Sequence, residues 1–237
     1  MAQTALWQAC PVASIYSLIL FDLDGTLVDP AGAITGGISA ALRSHDLPVP
    51  DDAVLDAMVG PPLVHSLTGL AAVPEPLIDH VVATYRAGYV ATGIHRSRPY
   101  PGIARCVQAL ADDGAVVAVA TQKPEWLAEE LLSAQRLRHL FASVHGSPRN
   151  ESVATGGKTP IIRAALERHA PVLEQAGPQQ AVMIGDRSHD VEGAHANGVP
   201  CIGVAWGFAA RGELEDAGAD AVVHSAEELL EVLRGGL

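Results

Sequence analysis

The chain has 237 residues, of which 49% are hydrophobic, and its formal net charge is -12. This length and hydrophobicity suffice for one main domain with a smaller insert and exclude a largely disordered chain. The excess of acidic residues disfavours nonspecific binding to nucleic acids or anionic membranes, because too few basic residues are present to form a broad positive patch. We therefore expect a small-molecule partner, and neither a nucleic acid nor a membrane.

The three cysteines, Cys10, Cys106 and Cys201, are widely spaced and offer neither a metal-type pair nor an even disulfide framework. The N-terminus lacks the basic start of a signal peptide, and no apolar run approaches 18 residues. These features predict a cytoplasmic protein. A monomer and a homodimer both stay open.

The first predicted element after an N-terminal extension, residues 1–14, is a strand over residues 15–21. Its apolar run ends in acidic and glycine residues, which is typical of a buried parallel strand that enters a loop. Similar runs predict further core strands at residues 115–120, 181–184, 201–204 and 219–223.

Segments with helical spacing alternate with the later strands, at residues 102–113, 124–136, 158–169, 189–197 and 225–234. This alternation predicts an α/β fold with a doubly wound, Rossmann-like parallel sheet. Ligands of such sheets bind beyond the carboxyl ends of the strands, so we expect the functional site there.

Residues 30–98 break the alternation, because four helical patterns follow one another without a convincing strand, at residues 33–45, 51–58, 62–70 and 75–92. The prolines and the glycine of residues 99–102 favour a turn at the return to the main domain. We predict a helical domain at 30–98, inserted after the first strand of a core formed by residues 15–29 and 99–237.

Two carboxylates, Asp22 and Asp24, follow the first strand directly, with Gly25 and Thr26 behind them. Acids this close repel each other and need a cation or a shared proton. In one solution Asp22 binds Mg²⁺ and acts as a nucleophile, while Asp24 protonates a leaving oxygen and later activates water. The alternative is an acidic turn whose carboxylates cap backbone N–H groups.

Thr121 and Gln122 follow the next core strand, where a hydroxyl and backbone N–H groups can hold phosphate oxygens at a helix start; a simple helix cap at Thr121 is the alternative. Lys158 precedes a periodic helix and can neutralise a phosphoryl group. The chain has only two lysines, Lys123 and Lys158, against thirteen arginines, so a lysine at position 158 indicates a need for a compact charge.

Asp186 and Asp190 supply two more carboxylates after a buried strand, four residues apart and so on one face of a helix start. Mg²⁺ prefers a few carboxylates together with water and phosphate oxygens. We expect Asp186 to be a direct ligand and Asp190 a supporting one; helix capping by both is the alternative.

Four segments in this order resemble the haloacid dehalogenase superfamily of phosphohydrolases, over residues 15–237. They contain Asp22 and Asp24, Thr121, Lys158, and Asp186 with Asp190. The insert looks like the helical C1 cap of that superfamily, and the whole resembles its phosphoglycolate phosphatase-like group. The segments at 185–194 and 202–207 look most like the 5'-nucleotidase branch.

The resemblance implies a phosphatase that acts on a small phosphorylated metabolite through an aspartyl phosphate. It implies Asp22 as nucleophile, Asp24 as acid and base, Thr121 and Lys158 as phosphate ligands, and Mg²⁺ held by Asp22, the Asp24 carbonyl and Asp186, with Asp190 in support. Phosphotransfer to another hydroxyl, including that of tyrosine, stays open, because the core residues do not separate it from hydrolysis.

The cap is expected to face the substrate with residues from two segments, Gly60 and Pro61 in one and Arg86 in the other. Arg86 either binds an anionic tail or forms a cap salt bridge. Asp29 either supports the first loop or caps the helix that begins near Ala33.

Overall fold

The computed structural model of the protein describes residues 14–149, 157–176 and 180–235. The predicted N-terminal extension lies outside these ranges except for Ser14. The described residues contain a six-stranded parallel sheet, which confirms the predicted α/β class, and a separate pair of short antiparallel strands.

The strands are β1 (Leu18–Phe21), β2 (Val28–Asp29), β3 (Arg98–Pro99), β4 (Val116–Pro124), β5 (Ser143–Ser147), β6 (Ala181–Gly185), β7 (Cys201–Val204) and β8 (Ala221–Val223). The helices are α1 (Ala33–Ser44), α2 (Asp52–Ala57), α3 (Leu63–Gly69), α4 (Glu75–Gly88), α5 (Ile94–Arg96), α6 (Ile103–Asp112), α7 (Glu125–Ala134), α8 (Thr159–Arg168), α9 (Ala170–Ala176), α10 (Ser188–His195), α11 (Glu213–Asp216) and α12 (Ala226–Gly235). A π-helical segment, Tyr89–Gly93, joins α4 to α5, and a 3₁₀ turn covers Arg138–Leu140. In the described parts of the chain, no helix is long and apolar enough to cross a bilayer.

The main sheet has the order β5-β4-β1-β6-β7-β8, with β1 at its centre. All four residues of β1 are buried, because helices cover both faces of the sheet. Ile19 and Phe21 point into the core on one face, and Leu18 and Leu20 into the core on the other. The strand order reverses beside β1, so the carboxyl ends of β1, β4 and β6 meet at the predicted ligand position.

β5 was not predicted, and β4 extends further than predicted. β5 lies at the edge of the sheet and reads Ser-Val-His-Gly-Ser, so it lacks the continuous apolar run of a central strand. β4 continues to Pro124, with an irregularity in its pairing after Ala120. Thr121 and Gln122 therefore belong to a strand rather than to the loop after it.

The helices α1 to α5 lie between β2 and β3, which pair antiparallel through Val28 and Pro99. The chain thus leaves the main sheet and returns to it at one two-stranded neck. Ile38, Leu42 and Val81 are buried in this insert, where α1 packs against α4. Its helices match the predicted ones closely, while the domain boundaries at residues 30 and 98 stay a prediction.

Candidate active site

The loop after β1 carries the first two carboxylates of the site. Asp22 and Asp24 are both buried, and Asp22 continues the β1–β6 pairing by donating its N–H to the Ile184 carbonyl over 2.9 Å. The chain then turns at Gly25, whose φ is +87° and whose added Cβ would lie 2.1 Å from an Asp186 carboxylate oxygen. The glycine therefore serves both the backbone conformation and the close approach of Asp186.

Lys158 links the carboxylates of two different loops. It stands at the start of α8, and its buried Nζ lies 2.8 Å from Asp22 Oδ1 and in contact with Asp190 Oδ1. Burial favours the neutral amine, but the carboxylates of Asp190 and Asp22 outweigh it and raise the pKa of Lys158 above its usual value. The ammonium therefore stays charged, as neutralisation of a phosphoryl group requires.

Asp186 and Asp190 follow β6 and are both buried. Asp186 accepts hydrogen bonds from Thr26 Oγ1 at 3.1 Å and from the Phe208 N–H at 2.8 Å, so it does not cap α10. Asp190 does cap α10, through the Arg187 N–H at 3.1 Å, and contacts Lys158 with its other oxygen. Asp190 therefore both caps α10 and takes part in the site.

The carboxylates of Asp22, Asp186 and Asp190 form a cluster that fits a metal ion, with one oxygen of each within 4.8 Å of the others. Burial and the carboxylates of Asp190 and Asp22 raise the pKa of Asp186 well above its usual value. Burial likewise raises the pKa of Asp190, although Lys158 opposes the rise. A cation relieves such repulsion, so this donor set suits a hard, oxygen-preferring ion. We call Asp22, Lys158, Asp186 and Asp190 the metal side of the site.

A cavity of about 50 Å³ lies between the core and the insert. Core residues that line it include Asp22, Asp24, Thr121, Gln122 and Lys123, and insert residues include Gly60, Pro61, Tyr85 and Arg86. Since a water needs about 10–15 Å³ of such space, the cavity holds only a few waters. The insert therefore covers the two aspartates, and we call this arrangement closed.

Thr121 and Gln122 reach this cavity from β4. The helix-cap alternative for Thr121 is wrong, because α7 begins at Glu125 with Pro124 as its N-cap residue. The Thr121 hydroxyl instead accepts the Lys123 N–H within the strand, at 3.3 Å.

Lys123 was not among the predicted site residues, yet its Nζ lies 2.8 Å from Asp24 Oδ2 in a buried ion pair. Its Nζ also lies 4.4 Å from the centre of the Tyr89 ring, which the insert contributes. Burial favours neutral Lys123, but Asp24 and the two nearby tyrosines Tyr89 and Tyr85 raise its pKa above the usual value. In the sequence, the available signal for Lys123 was that it is one of two lysines in a chain with thirteen arginines. We call Asp24, Lys123 and Tyr89 the cap side of the site.

Arg187 is a second missed residue, and it ties the insert to the core. Its guanidinium donates to the Val59 carbonyl at 2.6 Å and to Glu213 at 2.9 Å. Glu213 also accepts the N–H groups of Ser188 and Ala210, both at 2.9 Å. Burial acts to raise the pKa of Glu213, but these hydrogen bonds outweigh it and lower the pKa to about 2.

Two alternatives left open by the sequence are now clearer. Asp29 accepts the Ala31 N–H at 2.7 Å in the turn before α1, whose N-cap residue is Gly32, so Asp29 supports the loop and does not cap the helix. Arg86 lines the cavity and donates to the Arg149 carbonyl at 3.3 Å. An anion-binding role for Arg86 stays a prediction.

A parallel α/β core with clustered aspartates, a buried lysine and a helical insert is the arrangement of a hydrolase that acts on phosphoric monoester bonds. The family described as haloacid dehalogenase-like hydrolase matches residues 19–204, and the chain belongs to it. Membership is thereby confirmed, and the relatives and solved structure named as phosphatases confirm the predicted phosphatase type of hydrolase.

Relatives with three different names resemble this chain over most of its length. A 5'-nucleotidase of Pseudomonas aeruginosa is 36% identical over 84% of this chain and 87% of that protein. Tyrosine-protein kinase PtkA of Mycobacterium tuberculosis is 34% identical over 91% of this chain and 72% of that protein. A phosphoglycolate phosphatase of Agrobacterium fabrum is 34% identical over 81% of each. A solved structure, a predicted phosphatase from Clostridium acetobutylicum, superposes with a TM-score of 0.84 at 34% identity and covers 94% of this chain and all of that one.

Proposed function

We propose that the protein is a magnesium-dependent phosphatase that hydrolyses a small phosphomonoester through an aspartyl phosphate on Asp22. The observation that carries this proposal is the placement of Asp22, which lines the closed cavity while Lys158 binds its carboxylate at 2.8 Å. A carboxylate that lines the cavity and contacts a buried ammonium is suited to attack a phosphorus atom.

In the first step an Asp22 oxygen forms a bond to phosphorus, and the bond from phosphorus to the ester oxygen breaks. Asp24, which lines the same cavity and enters this step with a proton on the oxygen that Lys123 does not contact, donates that proton to the leaving oxygen. In the second step Asp24 takes a proton from water, the water oxygen bonds to phosphorus, and the bond to Asp22 breaks. Lys158 and the backbone at Thr121 and Gln122 hold the phosphoryl oxygens.

The ion belongs to the cluster of Asp22, Asp186 and Asp190, whose oxygens and mutual repulsion fit Mg²⁺. Bound there, Mg²⁺ would draw negative charge from the phosphoryl group. Asp186 is already held in place by Thr26 and by the Phe208 N–H, so the protein orients this ligand before any ion arrives.

The nucleophile is tested with Asp22→Asn, which keeps the shape of the side chain and removes its charge. We expect the hydrolysis of p-nitrophenyl phosphate with Mg²⁺ to fall on the order of 10⁴-fold or more, because the covalent step is lost. Asp112→Asn, on the exposed surface of α6, is the matched control and should retain full activity. Unchanged turnover in Asp22→Asn would sink the proposal.

The second candidate function is phosphotransfer, including transfer to tyrosine, because a 34% identical relative carries the name tyrosine-protein kinase. The two functions differ only in the acceptor of the second step. Phosphate released per substrate consumed, measured with and without a tyrosine peptide, separates them. Hydrolysis predicts one phosphate per substrate under both conditions, whereas transfer predicts labelled peptide and a phosphate deficit. Nucleoside monophosphates and phosphoglycolate are the first substrates to compare.

A further inference from the structure

The two oxygens of Asp24 have different surroundings. Oδ2 lies 2.8 Å from the ammonium of Lys123, and both side chains are buried, with 10% and 6% of their surfaces exposed. Oδ1 is also buried, yet no group among the described residues donates a hydrogen bond to it. An ion pair on one oxygen restricts rotation of the whole carboxylate, so the unpartnered Oδ1 is held in a single orientation.

The partner of Lys123 on its other side comes from the insert. Tyr89, in the π-helical segment, is 1% exposed, and its ring lies over the Lys123 ammonium with 4.4 Å from Nζ to the ring centre. Tyr85 stacks on Tyr89 with 5.8 Å between ring centres. A Cβ at Gly93 would lie 2.6 Å from the Tyr89 ring, so this glycine leaves the space that the ring needs.

Asp24 and Lys123 belong to the core, whereas Tyr89 belongs to the insert that closes the cavity. With the insert lifted away, water would reach the ammonium, and the Asp24–Lys123 pair would weaken because its surroundings become more polar. With the insert closed, the ring excludes water and adds a cation–π contact. The position of the insert is thereby coupled to the order of the Asp24 carboxylate.

We propose that Lys123 is a positioning residue that holds Asp24 Oδ2 so that Oδ1 meets the leaving oxygen, and that Tyr89 completes this arrangement only when the insert is closed. The inference rests on the proposed hydrolysis through Asp22 and Asp24. It assigns to the insert a part in proton transfer, in addition to covering the substrate.

The test uses the dependence of the rate on the leaving group. An alkyl phosphate needs its leaving oxygen protonated, whereas p-nitrophenolate departs with little help. We compare kcat/KM for glycerol phosphate and for p-nitrophenyl phosphate, because this quantity covers the steps up to release of the alcohol or phenol. Lys123→Met should lower the value about 10²-fold or more for the alkyl ester and at most about tenfold for the aryl ester. Equal losses on both esters would overturn the proposal.

A double-mutant comparison separates positioning from general damage to the fold. If Lys123 acts through Asp24, then Lys123→Met should change the alkyl ester rate little in an Asp24→Asn background, because the group that it positions is already gone. Independent, multiplicative losses would contradict the inference. Arg234→Met, which breaks a distant ion pair with Asp113 at 2.8 Å, is the control and should leave both rates unchanged.

Lys123→Met leaves a buried carboxylate without its partner and can prevent folding. Tyr89→Leu keeps the ion pair and removes only the ring, so it decides the question in that case. We expect this variant to lose about tenfold on the alkyl ester and less on the aryl ester. Equal rates for wild type and Tyr89→Leu on both esters would refute the role of the insert. Failure of the proposed function has a different signature, since the wild type itself would then turn over neither ester.

Discussion

The metal side and the cap side of the site are built in different ways. Every residue of the metal side comes from the core, and the packing there leaves no room for a methyl group. An added Cβ would lie 2.1 Å from Asp190 at Gly185 and 2.3 Å from Asp186 at Gly207. The cap side is instead completed by Tyr89, from the insert that lies over the cavity.

This difference matches the work that each side has to do. Charge on the phosphoryl group is the same for every phosphomonoester, so a rigid, preorganised metal side serves all of them. The leaving group differs between substrates, and it has to enter the site and leave it. It therefore contacts residues of the insert, which can act as a lid. This contrast predicts how strongly the activity responds to small substitutions on each side of the site.

Among the changes that test this contrast, the largest effect is expected from a single methyl group on the metal side. In Gly207→Ala the new Cβ would lie 2.3 Å from Asp186 Oδ2, so the carboxylate has to leave its position. We expect kcat to fall about 10²-fold or more, since a displacement of about 1 Å in an active site has an effect of that size. A Mg²⁺ titration of p-nitrophenyl phosphate hydrolysis measures both kcat and the apparent affinity for the ion, which should weaken.

Gly36→Ala is the matched control in the insert. Gly36 lies in the exposed part of α1, and the described residues place no atom within 4 Å of its added Cβ. We expect unchanged activity and a free energy of unfolding higher by about 0.5–1 kcal/mol, because alanine favours helix more than glycine does. Full activity in Gly207→Ala would show that the metal side tolerates displacement, and the contrast between the two sides would fail.

The same contrast explains what the sequence predicted. Asp22, Lys158, Asp186 and Asp190 follow buried apolar strands or precede a periodic helix, so strand order alone brings them to one edge of the sheet. The parallel sheet and the helices of the insert were likewise readable from periodicity. The edge strand β5 was not, because edge strands need no continuous apolar run.

The cap side was not predictable in the same way. Lys123 stood out as one of two lysines, but its partner Asp24 lies 99 residues earlier in the sequence. Tyr89 lies in the π-helical segment of the insert, and no neighbouring polar motif indicated a role in the site. Arg187 was read only as part of a motif, and its contact with Val59 spans 128 residues. Such pairs depend on how the insert docks on the core, which local patterns do not encode.

An intermediate effect is expected at the link between Arg187 and the insert. Arg187→Met removes the donor to the Val59 carbonyl at 2.6 Å and keeps the backbone N–H that Asp190 accepts. A hydrogen bond from a charged donor contributes about 1.5–3 kcal/mol, so the closed state should lose population on the order of tenfold. We expect KM to rise by about that factor and amide hydrogen exchange at residues 58–60 to accelerate.

Arg105→Met is the control for the loss of an arginine, since the Arg105 side chain is 87% exposed and pairs with Glu227 only at 3.8 Å. It should change neither KM nor exchange at residues 58–60. Hydrogen exchange that stays slow in Arg187→Met would mean that other contacts hold the insert closed, and Arg187 would then act within the core alone.

The smallest effect concerns pH and the carboxylate that holds Arg187. The pKa of Glu213 is lowered to about 2 by its hydrogen bonds, from a usual value near 4.5, so the ionised form stabilises the folded state. This stabilisation is complete above pH 4.5 and is lost as the pH falls towards 2. Glu213→Gln should therefore unfold more easily than wild type at pH 7, by roughly 1–2 kcal/mol, and the difference should narrow below pH 4.5. Urea titrations at pH 7, 5 and 4 measure it, with Glu130→Gln on the exposed surface of α7 as the control. A stability difference that stays constant over this pH range would mean that ionisation of Glu213 does not stabilise the folded state. The charge of Glu213 would then not be needed to hold Arg187 in place.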